Sequence, residues 1–299
     1  MRQRVVIRLY LAGPMSGYEE WNYPAFDTHA RWLRGRGYGV VSPAERSRDR
    51  GFDERAPHGA FTSDDYRKSM IHNYRALLTC DGVALLPGWE KSTGALLERR
   101  LAMQAGLAIF YVDASREYLE RELVVGIGGY ARAGKDTLAN LMVEHMGFQR
   151  RAFADSLRNV LYATNPIIDG TGSGLRLADV VDRIGWDQAK VEYPEVRSLM
   201  QRLGTEGGRR HISTDIWSRT LFESLHSAPR LVIPDCRFPD EAADIHRRGG
   251  YVLLIERDGV GPVNDHVSES CDISPDVIIT NNGDPLDMVE QVRDFLGGT

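Results

Sequence analysis

Cysteine is scarce and scattered. Cys80, Cys236 and Cys271 are the three in 299 residues, odd in number and far apart, so neither a disulfide framework nor a structural zinc site is indicated. A reducing compartment is the expectation. A strong excess of one charge is also missing: 37 Lys and Arg against 42 Asp and Glu leave a net charge of -5. That balance offers no bulk attraction to nucleic acid or to an anionic membrane, so neither is expected as a direct partner. No apolar run approaches the roughly 20 residues of a membrane-spanning helix. Arg2, Arg4 and Arg8 flank a short β-like run instead of a signal-peptide core. Low-complexity segments and internal repeats are absent from the sequence too. A soluble, cytoplasmic protein is expected, with a homo-oligomer left open.

What is present is apolar patterning of two kinds. At 299 residues the chain exceeds one typical domain, which predicts two cores. Residues 5–11 alternate too little for a half-exposed strand and read as a buried parallel one, ending at Gly13 and Pro14. Pro24 suits a first helical turn, and Phe26, Ala30 and Leu33 recur at helical spacing until Gly37. A strand over 38–41, a helix over 65–78 with Met70, Tyr74 and Leu77 on one face, and a strand over 82–86 come next. A helix over 94–105, stopped by Gly106, and a strand over 107–112 complete the pattern. The alternation predicts an α/β domain over residues 1–114, an open, mainly parallel sheet of flavodoxin or Rossmann type with flanking helices.

Residues 115–122 are charged and without a strong apolar pattern, and read as a linker. A second α/β domain is expected over 123–299. It restarts with an apolar strand at 123–127 and a helix from Asp136, then runs through a helical middle, strands at 231–234 and 251–255, and a strand-helix pair over 277–295. Sheets of this kind bind ligands beyond the carboxyl ends of their strands.

Between strand 123–127 and the helix from Asp136 lies GYARAGKDT, residues 129–137. Backbone N–H groups of a glycine-rich turn, the positive end of the following helix and one lysine ammonium can together hold a nucleotide's phosphates. Gly129, Arg132, Gly134, Lys135, Asp136 and Thr137 are therefore the candidate ATP-binding residues. Asp136 occupies the place where a Ser or Thr hydroxyl ordinarily ligates Mg²⁺, and Thr137 comes one residue late. A plain strand-to-helix turn is the alternative; Lys135 directly after Gly134 favours phosphate. About a hundred residues on, Asp235 closes the apolar run 231–234, where its carboxylate could hold Mg²⁺ with Asp136 as the other candidate. Arg237 can neutralise charge on a transferred phosphoryl group, or pair with Asp240 or Glu241 on the surface.

These residues belong to a larger set. With GYARAGKDT, the segments FADSLR (153–158), QRLGTEGGRR (201–210), DIW (215–217), IPDCRFPDE (233–241), NDHVSES (264–270) and IITNNGD (278–284) resemble the deoxynucleoside monophosphate kinases of bacteriophages, over nearly all of residues 123–296. In that family an Asp after the loop Lys is usual. The resemblance implies a P-loop kinase fold, ATP and Mg²⁺, and a deoxynucleoside 5′-monophosphate as acceptor, in the host cytoplasm if the chain is viral. It implies Lys135 on the donor phosphates and Asp235 near the metal, with Arg158, Arg209 and Arg237 as candidates for acceptor or transferring phosphate. Thr205, Glu206, Asp215, Trp217, His266 and Ser268 are the candidates for lining the acceptor pocket; for Trp217 and His266 a core or structural role is the alternative.

In the first half, Glu98 sits one turn into a helix that follows strand 82–86 and a loop ending in Ser92. A carboxylate there points into the strand-end crevice. The segments YLAGPMSG (10–17), NYPAF (22–26) and Ser92-x-Gly94-x-x-x-Glu98 resemble the nucleoside 2-deoxyribosyltransferase-like superfamily over residues 5–112. That resemblance implies cleavage or exchange of an N-glycosidic bond through a glycosyl-enzyme ester. Glu98 would be the nucleophile, Tyr10 its orienting partner and Asp81 a candidate general acid, with Gly13, Ser92 and Gly94 as the sugar or phosphate site. Asp64 and Asp65 are rival acids, with helix capping as their alternative role. Two other readings stay open: a first domain that binds a nucleotide without chemistry, and a chain that is a nucleotide-binding sensor throughout.

Overall fold

The computed structural model describes residues 6–53, 55, 62–168, 174–225, 229–261 and 273–297. The chain divides into two compact units, residues 1–124 with 246–250, and 125–245 with 251–299. Both are α/β, as the patterning predicts. Among the described residues no helix is long and apolar enough to cross a membrane.

The first unit runs β1 (Arg8–Ala12), α1 (Tyr23–Gly35), β2 (Gly39–Val41), α2 (Pro43–Asp49), α3 (Ser63–Leu77), β3 (Gly82–Leu85), α4 (Thr93–Gln104), β4 (Ala108–Asp113) and β5 (Tyr118–Arg121). Sheet order is β2-β1-β3-β4-β5, with β1 to β4 parallel and β5 antiparallel to β4. This is the flavodoxin-like order. Leu9 and Leu11 pack in one layer with Phe26, Ala30 and Leu33 of α1, whereas Tyr10 and Ala12 pack in the other with Leu77, Leu85 and Ala95. Both faces of β1 are buried, so its sequence shows a continuous apolar run instead of alternation.

The second unit runs β6 (Leu123–Gly128), α5 (Lys135–Met146), β7 (Gln149–Arg150), α6 (Ala154–Thr164), α7 (Leu177–Glu192), α8 (Pro194–Gln201), a π-helical turn (Arg202–Arg209), α9 (Ile216–Ser224), β8 (Arg230–Ile233), α10 (Pro239–Arg247), β9 (Tyr251–Glu256), β10 (Val277–Thr280) and α11 (Pro285–Gly297). Sheet order is β10-β9-β6-β8-β7, which puts β6 and its phosphate loop at the centre, between β9 and β8.

Three expectations change. Residues 115–122 are not a free linker: Tyr118–Arg121 is β5, paired along β4 from Phe110↔Arg121 to Asp113↔Tyr118. The charges that suggested a linker are those of a protected edge strand. Glu122 is buried and receives Arg99 at 2.8 Å and the Tyr111 hydroxyl at 2.7 Å. Helix α2 was not anticipated, being seven residues with only Pro43 and Ala44 buried; its signals are the Ser42 cap and the proline that starts it. The third change is a start: β1 begins at Arg8, with Val6 and Ile7 exposed.

Candidate functional sites

In the second unit the turn after β6 bends through three left-handed residues, Gly129 (φ 132°), Arg132 (φ 69°) and Gly134 (φ 113°). At Gly134 a side chain is excluded twice: the backbone is left-handed, and a Cβ would lie 2.3 Å from Asn281 Nδ2. Asn281 donates to the Ala133 carbonyl at 2.7 Å and so ties the loop to the segment after β10. Lys135 is the first residue of α5. It is 8% exposed, and its ammonium donates to the Gly129 and Tyr130 carbonyls at 2.7 Å each, so the loop wraps its own lysine. A cavity of about 550 Å³ opens here, lined by Arg132, Gly134, Lys135, Asp136, Thr137, and across it Arg257, Asp258 and Asn281 to Gly283. Gly129 is not among its lining residues.

A second cavity, of about 360 Å³, has Arg132 in its wall as well. Its other walls include Arg158, Thr205, Arg209, Trp217, Asp235, Arg237 and Glu241, together with Lys190 and Arg197 of α7 and α8, which the sequence analysis did not single out. Glu206 is exposed and Asp215, held by the Ser213 hydroxyl, starts α9; neither lines this cavity. His266 and Ser268 lie outside the described residues. Trp217 is a wall with a structural bond of its own, Nε1 donating to the Gly204 carbonyl at 2.9 Å. The GTEGG segment that carries Gly204 and Thr205 lies within the π-helical turn, a conformation that is rare, occurs mostly as single turns and is frequent at functional sites.

Each of the two candidate metal carboxylates is already engaged. Asp136 is largely exposed and paired with Arg150. Asp235 accepts the N–H groups of Phe153 and Ala154, at 2.9 Å each, one per carboxylate oxygen. Burial pushes its carboxyl above the ordinary range, against the pull of those amides and of Arg237 and Arg158. The two carboxylates line different cavities, and no group of three or more His, Cys, Asp or Glu among the described residues could hold a metal ion. By themselves they form no preassembled Mg²⁺ site, and a carboxylate here would add to ligands supplied by the nucleotide's phosphates and by water. Arg237 does not make the side-chain bridge that its spacing allowed with Asp240 or Glu241: those carboxylates take Arg209.

In the first unit Glu98 and Tyr10 meet. The Tyr10 hydroxyl donates to Glu98 Oε1 at 2.6 Å, with Tyr10 fully buried in β1 and Glu98 8% exposed on α4. Burial pushes the Glu98 carboxyl up to about 8, the Tyr10 bond opposing, and the same burial raises the Tyr10 phenol. Glu98 faces a cavity of about 570 Å³ at the carboxyl ends of the strands, with Gly13, Ser92 and Gly94 in its wall and an aromatic side formed by Trp21, Tyr23, Phe52 and Tyr74. Ser92 also caps α4, its Oγ accepting the Ala95 N–H at 3.3 Å.

Asp81 is elsewhere. It precedes β3, at the opposite end of the sheet, where its carboxylate accepts the Arg8 N–H at 2.7 Å; it does not line the Glu98 cavity. Asp65, which does line it, is bound in a capping box with Thr62 at the start of α3, the alternative role foreseen for it.

A central strand, a left-handed glycine loop and a buried lysine opening the next helix define a P-loop α/β unit. The comparisons refine this for part of the chain. Residues 182–292 match the family described as "Deoxynucleotide monophosphate kinase", and residues 7–111 match a "Domain of unknown function (DUF4406)". A protein of Acanthamoeba polyphaga mimivirus named "Putative deoxynucleotide monophosphate kinase" is 26% identical over 185 residues, covering 54% of this chain and 89% of the viral protein. The C-terminal region is thus similar to deoxynucleotide monophosphate kinases, and the N-terminal match carries no function.

Proposed function

We propose that the second unit transfers the terminal phosphoryl group of ATP to the 5′-phosphate of a deoxynucleoside monophosphate. The observation that carries this reading is that two cavities share Arg132, one walled by the phosphate loop and Lys135, the other by Arg158 and Arg237. Phosphoryl transfer needs two anionic groups side by side, with fixed cations to offset their repulsion and the charge of the transition state. Mg²⁺, expected with ATP, would be held chiefly by the nucleotide's phosphates and its own waters, and would offset charge on the donor. The test is ATP turnover by the full chain with each deoxynucleoside monophosphate. Acceptor-dependent ADP that disappears in Lys135→Ala, with the fold kept, supports the reading; turnover equal with and without acceptor refutes it.

For the first unit we propose cleavage or exchange of the N-glycosidic bond of a deoxyribonucleotide. The ionised Glu98 carboxylate attacks C1′, the C1′–N bond breaks with its electron pair going to the base, and water or another base resolves the ester. The contact of Glu98 with Tyr10 at the edge of a strand-end cavity supports it. One observation favours a second reading, a binding module without chemistry: Asp81 is not there to protonate the base, and burial of Glu98 opposes the ionised form that would attack. Release of free base by the wild type and its loss in Glu98→Ala decide for the first reading; tight binding of a monophosphate without release decides for the second.

A further inference from the structure

Glu241 has no part in the reading above, yet it is 3% exposed and sits where three sequence segments converge. Its Oε2 accepts the backbone N–H groups of Arg237 and Phe238, at 2.8 and 3.1 Å, and its Oε1 accepts Arg209 Nη2. The other guanidinium nitrogen of Arg209 donates to Asp240 and to the Thr214 carbonyl. The plane of Arg209 lies over the Phe238 ring, 4.0 Å from its centroid. Arg209 therefore has carboxylates along its fork and an aromatic ring beneath it, and its side chain is only 10% exposed. A guanidinium spent in this way has little left for a phosphate.

We propose that Glu241 is a positioning residue for the acceptor monophosphate. It fastens the π-helical turn, through Arg209, to the bend after β8, and sets the direction in which Arg237 enters the cavity. Arg209 is then part of the frame, and Arg158 and Arg237 are the arginines that meet the acceptor. Asp235 does the matching task on the other side, joining the same bend to the start of α6, the helix that carries Arg158. Two carboxylates at either end of one seven-residue stretch thus hold three segments by their backbone amides and one arginine.

The inference rests on the kinase reading for its ligand, and the test separates the two. Binding of dAMP, dCMP, dGMP and dTMP to the full chain is measured by calorimetry, alongside KM for the best of them and for ATP. In Glu241→Ala the monophosphate Kd and KM rise roughly 10- to 100-fold, the loss of one charge-assisted bond to the phosphate, while KM for ATP stays within twofold. Adding Arg209→Ala to Glu241→Ala costs little more, because both act through one clasp. Should Glu241→Ala not fold, Arg209→Lys keeps the charge but breaks the fork, and raises monophosphate KM about tenfold on the same argument. Unchanged monophosphate Kd in a folded variant, or equal losses for ATP and monophosphate, overturns the proposal. Wild-type binding without turnover overturns the kinase reading alone, and absence of binding overturns both.

Discussion

Replacing Glu98 by Gln should make the first unit more stable in base and remove a pH dependence. Burial moves the carboxyl from 4.5 to about 8, so between those values the native state holds a proton that the unfolded chain has released. The contribution is fully present below pH 4.5, is lost as pH rises, and is gone above pH 8. Moving the carboxyl from 4.5 to about 8 corresponds to roughly 5 kcal/mol, at about 1.36 kcal/mol for each tenfold in proton affinity. Water reaching the ionised carboxylate through the cavity returns part of it, leaving about 3–5 kcal/mol. Gln keeps the shape and can accept the Tyr10 proton, but has nothing to ionise. Urea unfolding of wild type and Glu98→Gln from pH 4 to pH 9, followed by pulse proteolysis with peptides assigned by mass spectrometry, reads each unit separately. The curves should meet near pH 4.5 and diverge to pH 8, with the variant the more stable. Glu241 also has its carboxyl raised to about 8, but it belongs to the second unit and cancels in the difference. Parallel pH curves, or a variant less stable at pH 9, would refute the burial argument.

If Glu98 is a nucleophile, base release should climb with pH up to about 8 before it levels, since only the ionised form attacks; a flat pH profile of release counts against that role. Lys135→Ala should abolish acceptor-dependent ADP formation while far-ultraviolet dichroism stays unchanged, because the ammonium serves the loop and the phosphates and little of the apolar core. Gly208→Ala should destabilise the second unit by about 1–3 kcal/mol, the usual overpacking cost, and weaken monophosphate binding. Its Cβ would lie 2.5 Å from Trp217 Cζ2, and the Trp217 ring is held in the cavity wall by the Gly204 carbonyl; thermal unfolding and calorimetry with dTMP check both parts.

What the sequence shows well is whatever a local period encodes. The strands of both sheets apart from β5 and the two-residue β7, the loop at 129–137 and the helices α1, α4 and α5 all announce themselves within a dozen residues, because burial on one face or two leaves a pattern of that length. Charged and short elements escape it: β5 is charged because an edge must be, and α2 has too few buried residues to show a period. The carboxylates are harder, since their partners are remote. Glu98 meets Tyr10 across 88 residues and Asp235 meets Phe153 across 82, so no spacing rule finds them.

Asp81 is different, because the means of excluding it as the general acid were in the sequence. It stands before the strand that begins at Gly82, and in a parallel sheet the residue before a strand faces the end away from the ligand crevice. Ser92 and Glu98 follow the same strand, and both reach the cavity. Two other acids reach a cavity wall from the ligand side: Asp235 follows a strand, and Asp65 lies in the first turn of α3, which comes between β2 and β3, although its carboxylate is taken by the capping box with Thr62. Side of the strand, more than residue type, decides which carboxylates of an α/β unit can take part in its chemistry. A general acid for the first unit, if the wild type releases base, must then come from the acids that do line its cavity, Asp53 and Asp65 beside Glu98 itself.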